Sequence, residues 1–594
     1  MATQVEMLNP SPSRAIADYG HLLAPLVIGI TGHRDIWEGD RPRLVASVKK
    51  VFTDLRRKYP STPLIVLSAL ADGADRLAAH VALSPEIEAR LFVPLPLPQG
   101  LYEKDFDAES LKDFRTLLRS ADGVFEVPLA AGCTLTDIAQ DGPQRDLQYQ
   151  RAGEYIVRRC QILIALWDGE KTGLAGGTAT IVDFKMGGLP LSDAYSFEAL
   201  ESFPVYQVVT PRKKNTQVQG AAFAVHELYP QSFMGDTAKA RQYYDHMFLR
   251  IEEYNRYAAN ANSGLRAAMI KSKAALLQGL SELQLGQESR RELDRYSLAD
   301  VLAVRFHKQK VTFDIQLHTS VFLALFLFAV YAHVSHHPFF LVLALGLVFA
   351  GSVRHAGFQE RGGDTKSEDY RAMAEGLRVR FFWTLAGLAD SVTDYYFGKQ
   401  RTELDWIRNC FRAWDVPMDL RVADCDAVER WIDTVRTHWV EDQRAYFRVA
   451  QARDQRRLEL IEFYGKVLTR FAVCAGVIML GVTIFQHRSE WLKGEFFGHY
   501  EELLNGLPIV AIEASLAAAA LLHNYGNRMA FREHTKQYVR MESVFSRAVE
   551  ILTTTKDDPE RSMQFIRWLG REALGENGDW VLLHRERPLE VPHP

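Results

Sequence analysis

Three short stretches of this chain carry residues able to hold an anion. The first is Gly29-Ile30-Thr31-Gly32-His33-Arg34-Asp35, where glycine lets backbone amides approach a ligand and Gly32, His33 and Arg34 add donors and a cation. The second is Ser68-Ala69-Leu70-Ala71-Asp72-Gly73-Ala74-Asp75-Arg76. Here Asp72 is placed to cap a following helix, and the amides around Gly73 suit phosphate or ribose, so Ser68, Asp72, Gly73, Ala74, Asp75 and Arg76 are candidates. The third, after Trp167-Asp168-Gly169, is Gly176-Gly177-Thr178-Ala179-Thr180-Ile181-Val182-Asp183, a glycine pair opening a helix, with Gly176, Gly177, Thr178 and Thr180 as candidates. One such turn is ordinary strand-to-helix punctuation. Three behind three apolar runs imply a phosphate-bearing ligand.

Other constellations carry less. His33-Arg34-Asp35 spells the kinase catalytic-loop triplet, but no Asn follows at the required spacing and no Asp-Phe-Gly occurs, so it is coincidental. His333, His336 and His337 have metal-ligand spacing only if one helix holds all three; a polar turn is the simpler reading, and no metal is expected. Tyr102, Asp105 and Phe106 either close over a ligand or start a helix, and Tyr149, Gly153 and Tyr155 either line a pocket or pack one. Glu513 sits in an apolar stretch, where a carboxylate faces a bundle interior or water. It lines a pore, pairs across subunits or between helices, or marks the interface where the span begins.

The elements that must position these residues divide in two. Up to residue 212, apolar runs at 26–30, 64–70, 90–95, 162–167 and 205–209 lack polar alternation, as strands covered on both faces do. Leu44, Val48, Val51, Phe52 and Leu55 fall on one helical stripe between the first two. An α/β domain, Rossmann-like with a parallel sheet, follows, with ligands expected beyond the strands' carboxyl ends. Residues 213–310 read as a helical linker with a long element through Arg305, and everything after is all-α.

Between Asp314 and Arg354, 39 residues carry no Asp, Glu, Lys or Arg, broken only at Ser335-His336-His337-Pro338. Each side is near the shortest length that crosses a bilayer, and proline after a polar triplet reverses the chain. The spacing predicts spans at about 316–334 and 338–353, then 467–487 and an interrupted 505–523, with a buried hairpin in a soluble domain as the alternative. Two membrane domains of one hairpin each are expected, 311–465 and 466–594, with amphipathic helices following each hairpin and a break near Pro417 and Asp424. Arg305, Lys308, Lys310, Arg354 and Arg361 flank the first pair, and Lys466, Arg470, Arg528, Arg532 and Lys536 the second, so both long polar regions and both termini are expected in the cytoplasm of a four-pass inner-membrane protein. Ser515 and Ala517–Ala520 permit close helix packing. Tyr370-Arg371 with Glu375, and Tyr538 with Arg540 and Glu542, hint at a duplication.

At 594 residues the chain exceeds one core, and a net charge of −4 gives no pull toward a nucleic-acid polymer. Five cysteines without CxxC spacing fit a reducing compartment. The N-terminal residues MATQVEMLNPSPSR show no apolar stretch of a cleavable signal.

Gly176, Gly177, Ala179, Thr180 and Asp183 resemble the signature of lysine-decarboxylase-like (LOG) proteins, and Ser68, Ala71, Gly73 and Asp75 the turn of related DNA-processing proteins. Both belong to the SLOG superfamily of nucleotide-binding domains. The strings Tyr370–Arg378, Leu404–Arg408 and Arg571–Asn577 resemble SLATT domains, two-helix membrane effectors of bacterial defence systems. The resemblance covers almost the whole chain. It implies a cytoplasmic sensor of a nucleotide or nucleotide-derived messenger, coupled to an oligomeric, pore-forming or membrane-disrupting effector that contacts lipid. LOG hydrolases end their motif in glutamate and have proline where Ala175 stands; here Asp183 is one methylene shorter, which favours binding over turnover. The alternative is a membrane-tethered nucleotide or N-glycoside hydrolase using Asp183.

Overall fold

The computed structural model describes residues 20–170, 177–187, 203–214, 218–230, 233, 235–396, 404–416, 425–488 and 501–585. The chain forms two compact units, 1–264 with 391–422, and 265–390 with 423–594. The expected break near Pro417 and Asp424 lies outside the described residues.

The first unit is α/β. Strands β1 (Leu26–Gly32), β2 (Leu64–Leu67), β3 (Arg90–Leu95), β4 (Gly123–Glu126), β5 (Ile162–Trp167), β6 (Val205–Val209) and β7 (Val225–Leu228) make one sheet in the order 4-3-2-1-5-6-7. All neighbours are parallel except β6 and β7. Helices α1 (Arg41–Lys58), α2 (Ala74–Ala82), α3 (Ala108–Arg119), α4 (Pro143–Arg159) and α5 (Thr178–Lys185) make the crossovers. The stripe Leu44, Val48, Val51, Phe52 and Leu55 is the buried face of α1. Winding starts at β1, runs outward to β4, then resumes on the other side of β1 with β5. The β1/β5 junction is therefore the topological switch point.

The unit extends past residue 212. Strand β7 follows it, as does α6 (Thr237–Ala259), and α11 (Asp405–Asp415) returns from beyond the first hairpin. Both helices seal the amino-terminal edge of the sheet. Asn255 of α6 holds the Ala24 backbone ahead of β1 with two 2.8 Å hydrogen bonds, and Glu252 accepts from the Thr62 hydroxyl ahead of β2 at 2.7 Å. From α11, the Asn409 carbonyl accepts from Gln161 at 3.1 Å, Trp414 donates to the Leu23 carbonyl, and Ala413 and Val416 join the core. With that edge closed by satisfied polar groups, the carboxyl edge is left for a ligand.

The second unit is all helix. After α7 (Ser263–Leu277), α8 (Gln287–His333) passes without a break through the expected linker boundary at 310 and the first apolar stretch. Pro338 opens α9 (Pro338–Glu360), with His337 as its N-cap, and α10 (Lys366–Leu385) packs back along α8. The same plan recurs. Helix α12 (Cys425–Val435) runs through a π-helical turn, Arg436–Glu441, into α13 (Asp442–Arg488); α14 (Glu501–Arg528) returns, and α15 (Phe531–Thr554) packs along α13. The fourth apolar stretch, expected to be interrupted, is a continuous helix with Pro508 near its start. Helix α16 (Pro559–Arg585) covers α10 and α12.

Four of these helices are long and apolar enough to cross a membrane. They are not buried as a soluble hairpin would be: Val342, Phe349, Val477 and Ile478 are each 65–73% exposed. Below the apolar stretches the helices are joined by buried ion pairs. Asp314, fully buried, accepts from Arg528 at 2.8 Å, and Arg528 reaches Asp364 at 3.2 Å, so one guanidinium holds α8, α14 and the turn after α9.

Candidate functional site

The three glycine-bearing segments sit beyond the carboxyl ends of β1, β2 and β5, the first and third at the switch point. Gly73 carries a φ of +82°, and a Cβ there would strike the Arg34 carbonyl oxygen and lie 2.8 Å from that of His33. A Cβ at Gly32 would lie 2.5 Å from the Ala74 Cβ. These glycines exist so that the first and second turns can touch. The amide of Ala74 then donates to the His33 carbonyl at 3.1 Å, locking them together.

At the junction itself, His33 meets Asp168, the residue that follows β5. The Asp168 amide donates to His33 Nε2 at 3.2 Å, and Asp168 Oδ1 lies 3.2 Å from the same nitrogen. Burial lowers the pKa of His33, with Arg212 adding to the effect and Asp168 opposing it, so the imidazole is neutral near pH 7 and accepts this hydrogen bond. Asp168 is 1% exposed, and among the described residues its Oδ2 has no hydrogen-bond partner; Arg212 Nη1 is 3.9 Å away. Arg212 donates instead to Asp35 at 2.9 Å. Burial would raise the pKa of Asp35, but Arg212 outweighs it and holds the carboxyl below its usual value. A buried carboxylate oxygen without a donor is costly, and a ribose hydroxyl or amino group would satisfy it.

Among the described residues, Arg34 is the cation of the site without an ion pair. Its guanidinium is exposed and stands 5.4 Å over the Tyr149 ring. It faces Asp75, which is 6% exposed and 3.5 Å from the Ser68 hydroxyl. Burial raises the pKa of Asp75 to about 7, against the opposing pull of Arg34, the Ala71 amide and Ser68.

Other candidates are placed differently. Asp72 does not cap α2; Gly73 occupies the N-cap position, and Asp72 accepts from the Gly73 amide at 3.0 Å. Arg76 turns into the protein, donating to the carbonyls of Leu70 and Ser110 and stacking 4.3 Å over Phe106. Gly177 is the N-cap of α5, with Thr178 buried and Thr180 partly buried in its first turn; Gly176 lies outside the described residues. Asp183 is exposed near the far end of α5, and its carboxylate makes no hydrogen bond among the described residues. Tyr102 is fully buried, Tyr149 donates to Asp105, and Arg145 bonds Asp105 at 2.6 Å, so this cluster braces the rim behind Arg34. Gly153 admits Ile181 of α5, and Tyr155 packs on Phe125.

Asp168 and Arg212 were not among the candidates read from the sequence. An aspartate directly behind an apolar strand was the available signal for Asp168. In the second unit Glu513 lies 3.2 Å from His333, an interhelical contact between α14 and α8. Because α8 ends at His333 and His337 caps α9, the three histidines do not share one helix. Among the described residues no group of three His, Cys, Asp or Glu side chains is placed to hold a metal ion.

Compared with protein-family models and with curated proteins, the chain matches none of either.

Proposed function

We propose that this chain is a nucleotide sensor joined to a membrane effector. The observation that carries the reading is the cluster of residues at the carboxyl ends of β1, β2 and β5. Among the described residues it combines an Arg34 without an ion pair, glycine turns in mutual contact, and a buried Asp168 oxygen without a donor. Such a set suits an anion at one end and a hydroxyl or amino group at the other, the two ends of a nucleotide. The SLOG-like motifs support the same ligand class. The four apolar helices, with outward-facing Phe349 and Ile478, support insertion into a lipid bilayer, and the basic residues flanking them support a four-pass topology with both polar ends in the cytoplasm. The ligand shifts the helices between two arrangements and needs different affinity for each. Four spans are few for a water-filled pore in one chain, so the active form is a homo-oligomer that permeabilises the membrane, consistent with a role in defence against infection.

The test uses the full-length protein. In detergent, calorimetric titration with a panel of nucleotides should give saturable binding by one member, recovered intact by mass spectrometry. Arg34→Glu should weaken that binding by at least about tenfold without lowering Tm. In dye-loaded vesicles the same nucleotide should trigger leakage. If none of the panel binds, or if binding never alters leakage, the reading fails. Ligand loss abolished by Asp183→Asn would establish a hydrolase instead.

A further inference from the structure

The helical unit contains a second site, independent of the sheet. Where the polar parts of α8, α10, α13, α15 and α16 meet, just beyond the apolar stretches, they enclose a cavity of about 700 Å³. That volume is in the range of small-molecule sites. Its wall carries seven Lys and Arg side chains against four carboxylates, and even with Arg528 held by Asp314 and Asp364 outside it, six cations face those four. The imbalance is local as well as total. Lys310, Arg371, Arg453 and Arg457 all act on His307, which faces the cavity from α8; burial first, and then these cations, lower its pKa.

The carboxylates are already shared. Glu375 serves Arg371 and Arg378, each at 2.6 Å, and Asp454 serves Arg453 at 2.8 Å and Arg457 at 3.7 Å. Glu368 is taken by Lys310. Lys308 lines the cavity without an ion pair among the described residues. The fourth carboxylate, Glu576, has its pKa pushed up to about 8 by burial and then by Glu375, so it is largely protonated at pH 7. Aromatic faces complete the wall: Arg371 lies over Tyr446 and Arg457 over Phe531, leaving forked donors fixed in direction.

From this geometry we infer that the cavity binds a phosphate-bearing anion at the level where the apolar helices end. A multiply charged group answers an excess of several cations better than a lone carboxylate, and guanidinium forks match phosphate oxygens. Tyr525 and Arg528, at the end of the fourth apolar helix, line the cavity together with residues of α10 and α16. An occupant there would touch helices of both hairpin repeats. Two sources share this chemistry, a phospholipid headgroup from the bilayer and a soluble phosphate compound.

Photolabelling of the full-length protein in phosphatidylcholine vesicles separates them. One set contains phosphatidylglycerol with a photoreactive headgroup; the other receives 8-azido-ATP. Adducts are mapped by peptide mass spectrometry. Labelling within 303–311, 371–378 or 453–461 by the first probe identifies a headgroup site, and by the second a soluble-phosphate site. In either case excess unlabelled probe must compete on the native chain. The paired substitutions Lys308→Glu and Arg457→Glu should reduce labelling by about tenfold or more. Lys308→Gln with Arg457→Gln is the milder pair should charge reversal unfold the unit. Adducts confined to peptides from 20–264 report the strand-edge site and leave this cavity unlabelled, which overturns the inference. So does labelling that neither competition nor the glutamine pair reduces.

Discussion

Asp75 is the residue on which the strand-edge site should turn with pH. Its carboxyl is buried in front of Arg34 and titrates near 7. Protonated, it leaves Arg34 free for an anion; ionised, it competes. Nucleotide affinity is therefore expected to fall as pH rises from about 6 to 8, by several-fold, and Asp75→Asn should abolish that fall. Titration calorimetry at three pH values checks this, the variant serving as control for the nucleotide's own ionisation. Glu576 makes a stability prediction of the same kind. An acid whose folded pKa lies above its unfolded value holds a proton that the unfolded chain has lost. Between about pH 4.5 and 8 it therefore makes stability fall as pH rises, by up to about 1.4 kcal/mol per pH unit. Glu576→Gln should flatten the dependence of Tm on pH across that window and raise Tm at pH 8.

At the level of elements, the touching turns behind β1 and β2 are the most demanding local geometry. Gly73→Ala forces a left-handed φ on alanine and drives a Cβ into the Arg34 carbonyl. It should cost about 2 kcal/mol or more and lower Tm, and nucleotide affinity should fall with it because Arg34 is displaced. The same turns explain what could be read from the residues beforehand. Strands β1, β2, β3, β5 and β6 are predominantly apolar runs without polar alternation, so burial on both faces was legible, as were the glycines that follow three of them. Strand β4 (Gly-Val-Phe-Glu) and β7 (Val-His-Glu-Leu) were not, because edge strands are partly exposed and need no apolar run. The pairing of His33 with Asp168 was invisible for another reason. It depends on β5 lying beside β1, a contact made 135 residues apart that no local spacing encodes.

Across the whole molecule, the α/β unit is assembled from two separated pieces of chain. A fragment ending at residue 212 lacks Asn255 and Glu252, which hold the Ala24 and Thr62 ends of β1 and β2, and lacks Trp414, Ala413 and Val416. It should aggregate or unfold without a cooperative transition. Residues 20–264 joined to 404–416 by a flexible linker should melt cooperatively by circular dichroism. In that pair Trp414→Ala should lower stability by about 3–5 kcal/mol.

The insertion of residues 265–390 between those two pieces has a consequence for inheritance. Sensors and effectors joined end to end can be exchanged by one crossover in the gene between them. Here a single breakpoint after residue 264 would carry off α11 with the first hairpin and uncover the foot of the sheet. Trading either unit for a foreign one requires two coordinated breaks, so the two halves of this protein are bound to diverge together.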